Sequence, residues 1–261
     1  MRINQATGIL ASARISKSRI QELPVDTRPG DEGEAYEVQA NLVQRLVDHF
    51  QGEPIGYKIA CTNALAQRQL GVSGPFYGRL LSSFCYDSPV RLDATRFDMR
   101  LIEAEFAFRL AHDLPPAAGR RTREEIADAI EGVLPGIEIV DSRYHSWTTV
   151  GVLSLIADNA CNAGWVRGNL IRDWRACDLA AQAVRLSVNG NLKQQGSGEA
   201  VLGHPLNALQ WLVETLQARG IGLKAGQYIT TGVTTGVYEA LPGDRVTADF
   251  GPVGSVEVVF E

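Results

Sequence analysis

The 261-residue chain is 45% hydrophobic and 21% charged, the composition of an ordinary globular protein with enough apolar surface for a sizeable core. A net charge of −5, with no basic stripe interleaved with aromatics, argues against nucleic acid or an anionic membrane as the main partner. No apolar run approaches the roughly eighteen residues of a membrane span, and Met1-Arg2-Ile3-Asn4-Gln5 leads to Arg14, Lys17 and Arg19 without a secretory hydrophobic segment, so a cytoplasmic protein is expected.

The first fifty residues read as two helices. Ile9, Leu10 and Ala13, and later Tyr36, Ala40, Val43, Val47 and Phe50, recur at helical spacing, and Leu23-Pro24 and Pro29-Gly30-Asp31 break the pattern between them. Tyr57-Lys58-Ile59-Ala60-Cys61 then reads as a short strand, and Gly71 to Gly78 as loop. Beyond Ser88 the chain becomes strand-rich. This divides it into a mainly helical region, 1–80, and a β-rich region, 81–261.

Leu101-Ile102-Glu103-Ala104-Glu105-Phe106-Ala107-Phe108 has the texture of a buried strand. Ile102, Ala104, Phe106 and Phe108 share one face at the period of two, so Glu103 and Glu105 project together from the other. Their Cβ atoms would lie about 6.5–7 Å apart, close enough for both carboxylates to reach one ion. The same spacing also suits the wet face of a half-exposed antiparallel strand.

Thr122 and Glu125 form a capping box, which predicts a helix through Ile126, Ala129, Ile130 and Val133 that stops near Pro135. Gly136-Ile137-Glu138-Ile139-Val140-Asp141 follows as a second acidic strand, with Glu138 between isoleucines. Burying carboxylates costs several kcal/mol each unless a cation or hydrogen bonds compensate, so Glu103, Glu105 and Glu138 in apolar strands call for a positive partner. Oxygen-only ligands favour Mg²⁺, Mn²⁺ or Ca²⁺ over zinc, and three protein ligands leave positions open for water and substrate.

Val184, Leu186 and Val188 alternate with polar residues and meet Asn189-Gly190, a two-residue hairpin signal. Pro205 opens a helix through Leu206, Leu209, Val213 and Leu216 that ends at Gly220. Alternation returns in Val246, Ala248, Phe250 and in Val256, Val258, Phe260. Helices followed by strands with sparse helices, without a βαβ alternation, indicate an α+β fold with a mixed or antiparallel β core. The glycines of Thr231-Gly232-Val233-Thr234-Thr235-Gly236 match no nucleotide-binding pattern. Cys61, Cys85, Cys161 and Cys177 form no Cys-x-x-Cys pair, and the four histidines have no zinc-site spacing.

Six segments, in order over about two hundred residues, carry a family resemblance. They are Gly56-Tyr57-Lys58-Ile59, Ile102-Glu103-Ala104-Glu105, Gly136 to Arg143, Ala157-Asp158-Asn159-Ala160, Gly203 to Leu209 and Ala248 to Ser255. Together they resemble the fumarylacetoacetate hydrolase superfamily, in its branch of 2-keto-4-pentenoate hydratases and 4-oxalocrotonate decarboxylases. The resemblance implies the mixed β-sheet roll of that family's C-terminal domain with a small helical N-terminal region. It places the family's metal ligands for Mg²⁺ or Mn²⁺ on Glu103, Glu105 and Glu138 and its active-site lysine on Lys58. Phe76, Asn159, Cys161 and Thr234 are candidate substrate-binding residues, Cys161 reading more readily as a buried structural thiol.

The implied activity is a metal-dependent hydratase of aromatic meta-cleavage catabolism that adds water to a 2-hydroxy-2,4-dienoate, giving a 4-hydroxy-2-oxo acid. A decarboxylase of 2-oxo-3-enedioates, an acylpyruvate hydrolase and a non-catalytic 2-keto acid binder are the alternatives. The hydrolase branch typically carries a His-x-x-Glu pair, which is missing here. Two departures stand out. Phe76 occupies the place where many hydratases have an aspartate, and Cys161-Asn162 replaces the serine pair that often follows Asp-Asn-Ala. Related hydratases assemble, and the amphipathic N-terminal helices offer apolar surface, so a homo-oligomer is expected.

Overall fold

The computed structural model describes all residues from Met1 to Glu261. It opens with α1 (Arg2–Ser16) and α2 (Glu32–Phe50), joined across the two predicted breaks. Asp31 caps α2 by accepting from the Glu34 amide, and Glu32 and Glu34 in the first turn suit the positive end of the helix dipole. The two helices pack through Ala6, Leu10, Val38 and Leu42 onto Leu81, Phe84 and Tyr144. These residues are covered within the chain, while Ile3, Ile9, Ile15, Val47 and Phe50 of the two helices are only partly buried.

The N-terminal third contributes more than helices. β1 (Pro54–Ala60) and β2 (Phe76–Leu81) complete one side of the main sheet, with α3 (Ala64–Leu70) between them. Asn63 and Gly71 bound α3, the first as a side-chain cap and the second in the left-handed region. The remaining strands are β3 (Cys85–Asp87), β4 (Val90–Leu92), β5 (Leu101–Leu110), β6 (Ile130–Val140), β7 (Asn162–Arg167), β8 (Ala183–Val188), β9 (Asn191–Ser197), β10 (Tyr228–Val233), β11 (Tyr238–Glu239), β12 (Arg245–Asp249) and β13 (Ser255–Phe260).

The larger sheet runs β2-β1-β10-β5-β6-β7-β3, with β11 also on β5; the smaller runs β4-β13-β12-β8-β9. Parallel pairs (β1 with β10, β3 with β7, β13 with β4) among antiparallel ones make the sheets mixed, as expected for an α+β roll. One face of β5 looks into the core, where Phe106 meets Phe250 of the small-sheet side at 5.0 Å and Phe108 meets Trp174 at 6.0 Å between ring centroids. The opposite face of β5 is left for the glutamates.

The capping box of Thr122 and Glu125 is formed, but its helix, α4 (Arg123–Asp128), is shorter than expected. Ile130 and Val133 belong to β6, because ten register pairs with β5 outweigh the local helical spacing. Pro135 lies inside that strand. Its carbonyl accepts from Gly168, just past the end of β7, so its missing N–H falls on the side where the ladder has already stopped. The Asn189-Gly190 hairpin joins β8 to β9, and Pro205 opens α6 (Pro205–Ala218), as the turn and cap signals predict. Between β6 and β7 the chain forms α5 (Val152–Ala157), and no helix of the protein is long and apolar enough to cross a membrane.

Candidate metal centre

β5 lies between β10 and β6, and the register across these three strands builds the site. Glu103 stands opposite Glu138, while Glu105 stands opposite Gly136 on one side and Val233 on the other. Strand parity thus puts all three carboxylates on one face, and one oxygen from each lies within 4.8 Å of the others. Glu105 and Glu138 are fully buried; Glu103 is partly exposed.

Lys58, 2% exposed, reaches this cluster from β1 across β10. Its Nζ is 3.1 Å from Glu138 Oε1 and donates to the Ala160 carbonyl at 3.1 Å. Asn162 Nδ2 donates to the same Glu138 oxygen at 3.0 Å, and the Gly232 amide donates to Glu105 Oε2 at 2.9 Å. The other oxygens, Glu138 Oε2 and Glu105 Oε1, are buried without any hydrogen-bond partner. An ionised carboxylate oxygen has only acceptor capacity, so with the glutamates ionised these two call for a cation or a donor from a ligand.

The electrostatics agree. Burial, with the Glu138 charge adding to it and Lys58 opposing it, pushes Glu103 up to about 7. Burial and the same carboxylate neighbours raise Glu105 well above the usual carboxylate range. Burial works against the Lys58 ammonium, but Glu138, Glu103 and Glu105 overcome it and hold Lys58 above its ordinary value. With all three carboxylates ionised, one ammonium leaves two negative charges, which a divalent cation would neutralise and which otherwise keep a proton on the cluster. The donor set is all oxygen, which fits a hard ion such as Mg²⁺ or Mn²⁺.

The backbone over Lys58 is bent into place. Asn159, Ala160 and Cys161 have φ of 53°, 53° and 58°, three successive left-handed residues without a glycine, a conformation costing roughly 1–2 kcal/mol each. Gly78, the register partner of Lys58, leaves space for this turn, since a Cβ there would come within 2.5 Å of the Asn159 carbonyl. Both ends of the Asn159 amide are spent on the Arg79 backbone, at 2.7 and 2.9 Å. Cys161 is buried, which pushes its thiol up to about 12.

Thr234 donates its hydroxyl to the Ala104 carbonyl at 2.7 Å, between the two glutamates of β5. Phe76 is 4% exposed and pairs with Ala60, which puts it on the Lys58 face of β1 and β2. The fold therefore gathers Glu103, Glu105, Glu138 and Lys58 directly, keeps Phe76 and Cys161 close by, and commits the polar groups of Asn159 and Thr234 to backbone. Asn162, and the buried unpartnered donors Thr62 Oγ1, Thr230 Oγ1 and Trp165 Nε1, escaped the sequence reading. Only Asn162 carried a signal, as half of the pair replacing the serines.

Residues 73–260 match the fumarylacetoacetate hydrolase C-terminal family. The chain is 36% identical over 229 residues to a 2-hydroxyhexa-2,4-dienoate hydratase of Comamonas testosteroni, covering 87% of this chain and 85% of the relative. It is 33% identical over 263 residues to a 2-keto-4-pentenoate hydratase of Paraburkholderia phymatum, covering 99% and 97%. Among solved structures it superimposes with a TM-score of 0.91 and 28% identity on a 4-oxalocrotonate decarboxylase from Pseudomonas putida G7, complexed with magnesium and adipate, covering 99% of this chain and 97% of that one. The chain belongs to the fumarylacetoacetate hydrolase superfamily, in the branch of the 2-keto-4-pentenoate hydratases and 4-oxalocrotonate decarboxylases.

Proposed function

We propose that this protein is a divalent-metal-dependent hydro-lyase that adds water to a 2-hydroxy-2,4-dienoate to give a 4-hydroxy-2-oxo acid. The observation that carries the reading is the buried triad of Glu103, Glu105 and Glu138 with the Lys58 ammonium 3.1 Å from Glu138. Glu103, Glu105 and Glu138 would hold Mg²⁺ or Mn²⁺. When bound, the ion supplies a Lewis acid for the 2-keto acid oxygen on which enolate charge develops.

In this reading the dienol of 2-hydroxypenta-2,4-dienoate takes a proton at its far carbon as its enol ketonises. Water then adds across the new double bond, hydroxyl to C4 and proton to C3. Lys58 orients the substrate or shuttles the proton, since Nζ carries one and is aimed into the cluster by Glu138 and the Ala160 carbonyl. Phe76, on the same face, lines the pocket as an apolar wall, and Cys161 lies next to the Ala160 turn as a neutral thiol.

A second reading is decarboxylation of a 2-oxo-3-enedioate, favoured by the 0.91 superposition on the decarboxylase. It would use the same ligands and the same enolate while losing CO₂. The two separate in one experiment: Mg²⁺-loaded protein given freshly generated 2-hydroxypentadienoate and, separately, 2-oxohex-3-enedioate, followed by ultraviolet absorbance and CO₂ release. Hydration without CO₂ is expected. CO₂ as the main product moves the assignment to decarboxylase, and retained metal binding without turnover on either compound moves it to a binder.

A further inference from the structure

We propose that the cavity between the end of α1 and the large sheet is a binding site for a small oxyanion, separate from the metal centre. The cavity has a volume of about 90 Å³ and is lined by the basic side chains of Arg14, Lys17, Arg96 and Arg143 and the acidic ones of Asp98 and Asp141. One water needs about 10–15 Å³ by this measure, so there is room for a group of phosphate size. None of the four residues of the metal cluster lines it.

The cations of this cavity are only partly matched within the chain: Asp141 and Asp158 lie near Arg14 and Arg143, and Asp93 lies near Lys17 and Arg96. Arg143, 4% exposed, is the only one of the four cations in an ion pair, at 3.1 Å from Asp141 Oδ2, and its Nη2 still lacks a hydrogen bond of acceptable geometry. Asp141 is already used, since it accepts from the amides of Asp98 and Met99. Asp158, behind Arg143, accepts from the Arg143 amide and the Ser142 hydroxyl. Arg14 gives Nη2 to the Ala163 carbonyl at 2.9 Å and lies over the Phe84 ring, with no carboxylate partner. Burial, then the neighbouring Arg143, draw its guanidinium below the ordinary arginine value against the opposing pull of Asp141 and Asp158. Lys17 and Arg96 stand exposed at the rim without an ion pair.

Four basic side chains and two acidic ones line the cavity, with Asp158 and Asp93 outside the lining; the unpartnered Nη2 of Arg143, the free rim cations Lys17 and Arg96, and the dry walls of Phe84 and Phe97 form a receptor for an anion that accepts charge-assisted hydrogen bonds. A phosphate, sulfate or small carboxylate has that chemistry. Its binding would tie the end of α1, through Arg14 and Lys17, to the Arg96 turn and to Arg143, three residues past β6, so occupancy would also stabilise the fold.

The test is calorimetric titration of inorganic phosphate, sulfate and succinate, each against chloride at matched ionic strength, with and without Mg²⁺, alongside thermal unfolding. Arg143→Gln removes a buried ion pair and is prone to misfold, so the informative variants are Arg14→Gln and the rim substitution Arg96→Ala. Saturable one-to-one binding of at least one oxyanion is expected, with a raised unfolding temperature. Affinity should fall about tenfold in either variant and stay unchanged in Glu105→Gln. Equal behaviour of all three anions and chloride overturns the site, as does undiminished binding in Arg14→Gln and Arg96→Ala. Loss of binding in Glu105→Gln overturns it too, by placing the anion on the metal instead.

Discussion

Glu103 of β5 and Glu138 of β6 are direct register partners on one face of the larger sheet. Like charges opposite each other weaken a ladder, and here Glu105, two residues along the same face, adds a third. Lys58 answers one of the three. The metal-free protein therefore carries an electrostatic strain that the proposed ion would relieve.

Glu105→Gln separates metal binding from folding. The substitution removes one buried charge from a crowded cluster and keeps an oxygen that can accept from Gly232. Mn²⁺ affinity should drop by at least about tenfold in calorimetric titration, while the unfolding temperature without metal should not fall. Unchanged Mn²⁺ affinity would remove the metal-site proposal.

The pH dependence has a definite sign. Glu103 titrates at about 7 in the folded protein against 4.5 ordinarily, so the folded state binds its proton more tightly. The stability this supplies is present below 4.5 and is lost as pH rises through about 7. Lys58, held above its ordinary value, stays protonated across that window. Metal needs ionised carboxylates, so its affinity climbs over the same range. The gap in unfolding temperature between Mg²⁺-loaded and EDTA-treated protein should widen from about pH 5 to about pH 8. A constant gap contradicts the account.

Lys58→Met should leave the metal-loaded fold intact and bind Mn²⁺, yet lose about 10²- to 10⁴-fold in turnover. Without metal the variant strands Glu138 with Asn162 as its sole partner, and such broken buried pairs cost about 3–5 kcal/mol. Circular dichroism and Mn²⁺ titration would establish folding and binding first. Near-normal turnover on the true substrate would then rule Lys58 out of the chemistry.

How much of this was legible in the sequence depended on whether the signal was local. The period-two pattern around Glu103 and Glu105 already placed both carboxylates on one face, because parity is a property of the strand alone. The capping box and the Asn189-Gly190 turn were legible for the same reason. The end of α4 was not, since Ile130 and Val133 take strand geometry from pairing with β5, a non-local contact. α3 escaped because it buries no residue and so has no apolar periodicity, although Asn63 and Gly71 mark its ends. Strand parity supplied the three glutamates, but their approach to Lys58 and Asn162 is set by strand order and by the left-handed turn at 159–161, which no spacing encodes.

Phe76→Asp tests whether the pocket departs from the plain hydratase pattern. Phe76 is buried on the Lys58 face, with Gly78, two residues on, as the partner of Lys58. Phenylalanine there offers an apolar wall and no proton, so the wild type should be slow on 2-hydroxypentadienoate and favour 2-keto acids with bulkier, more hydrophobic tails. An aspartate would be buried at a cost, offset in part by the nearby Lys58 ammonium, so folding must be checked by thermal unfolding before rates are compared. Hydratase turnover on the simple dienol should rise in the variant, and the preference for hydrophobic tails should shrink. If the wild type is already fast on that dienol and Phe76→Asp only slows it, Phe76 is neutral to the chemistry and the unmodified hydratase assignment stands.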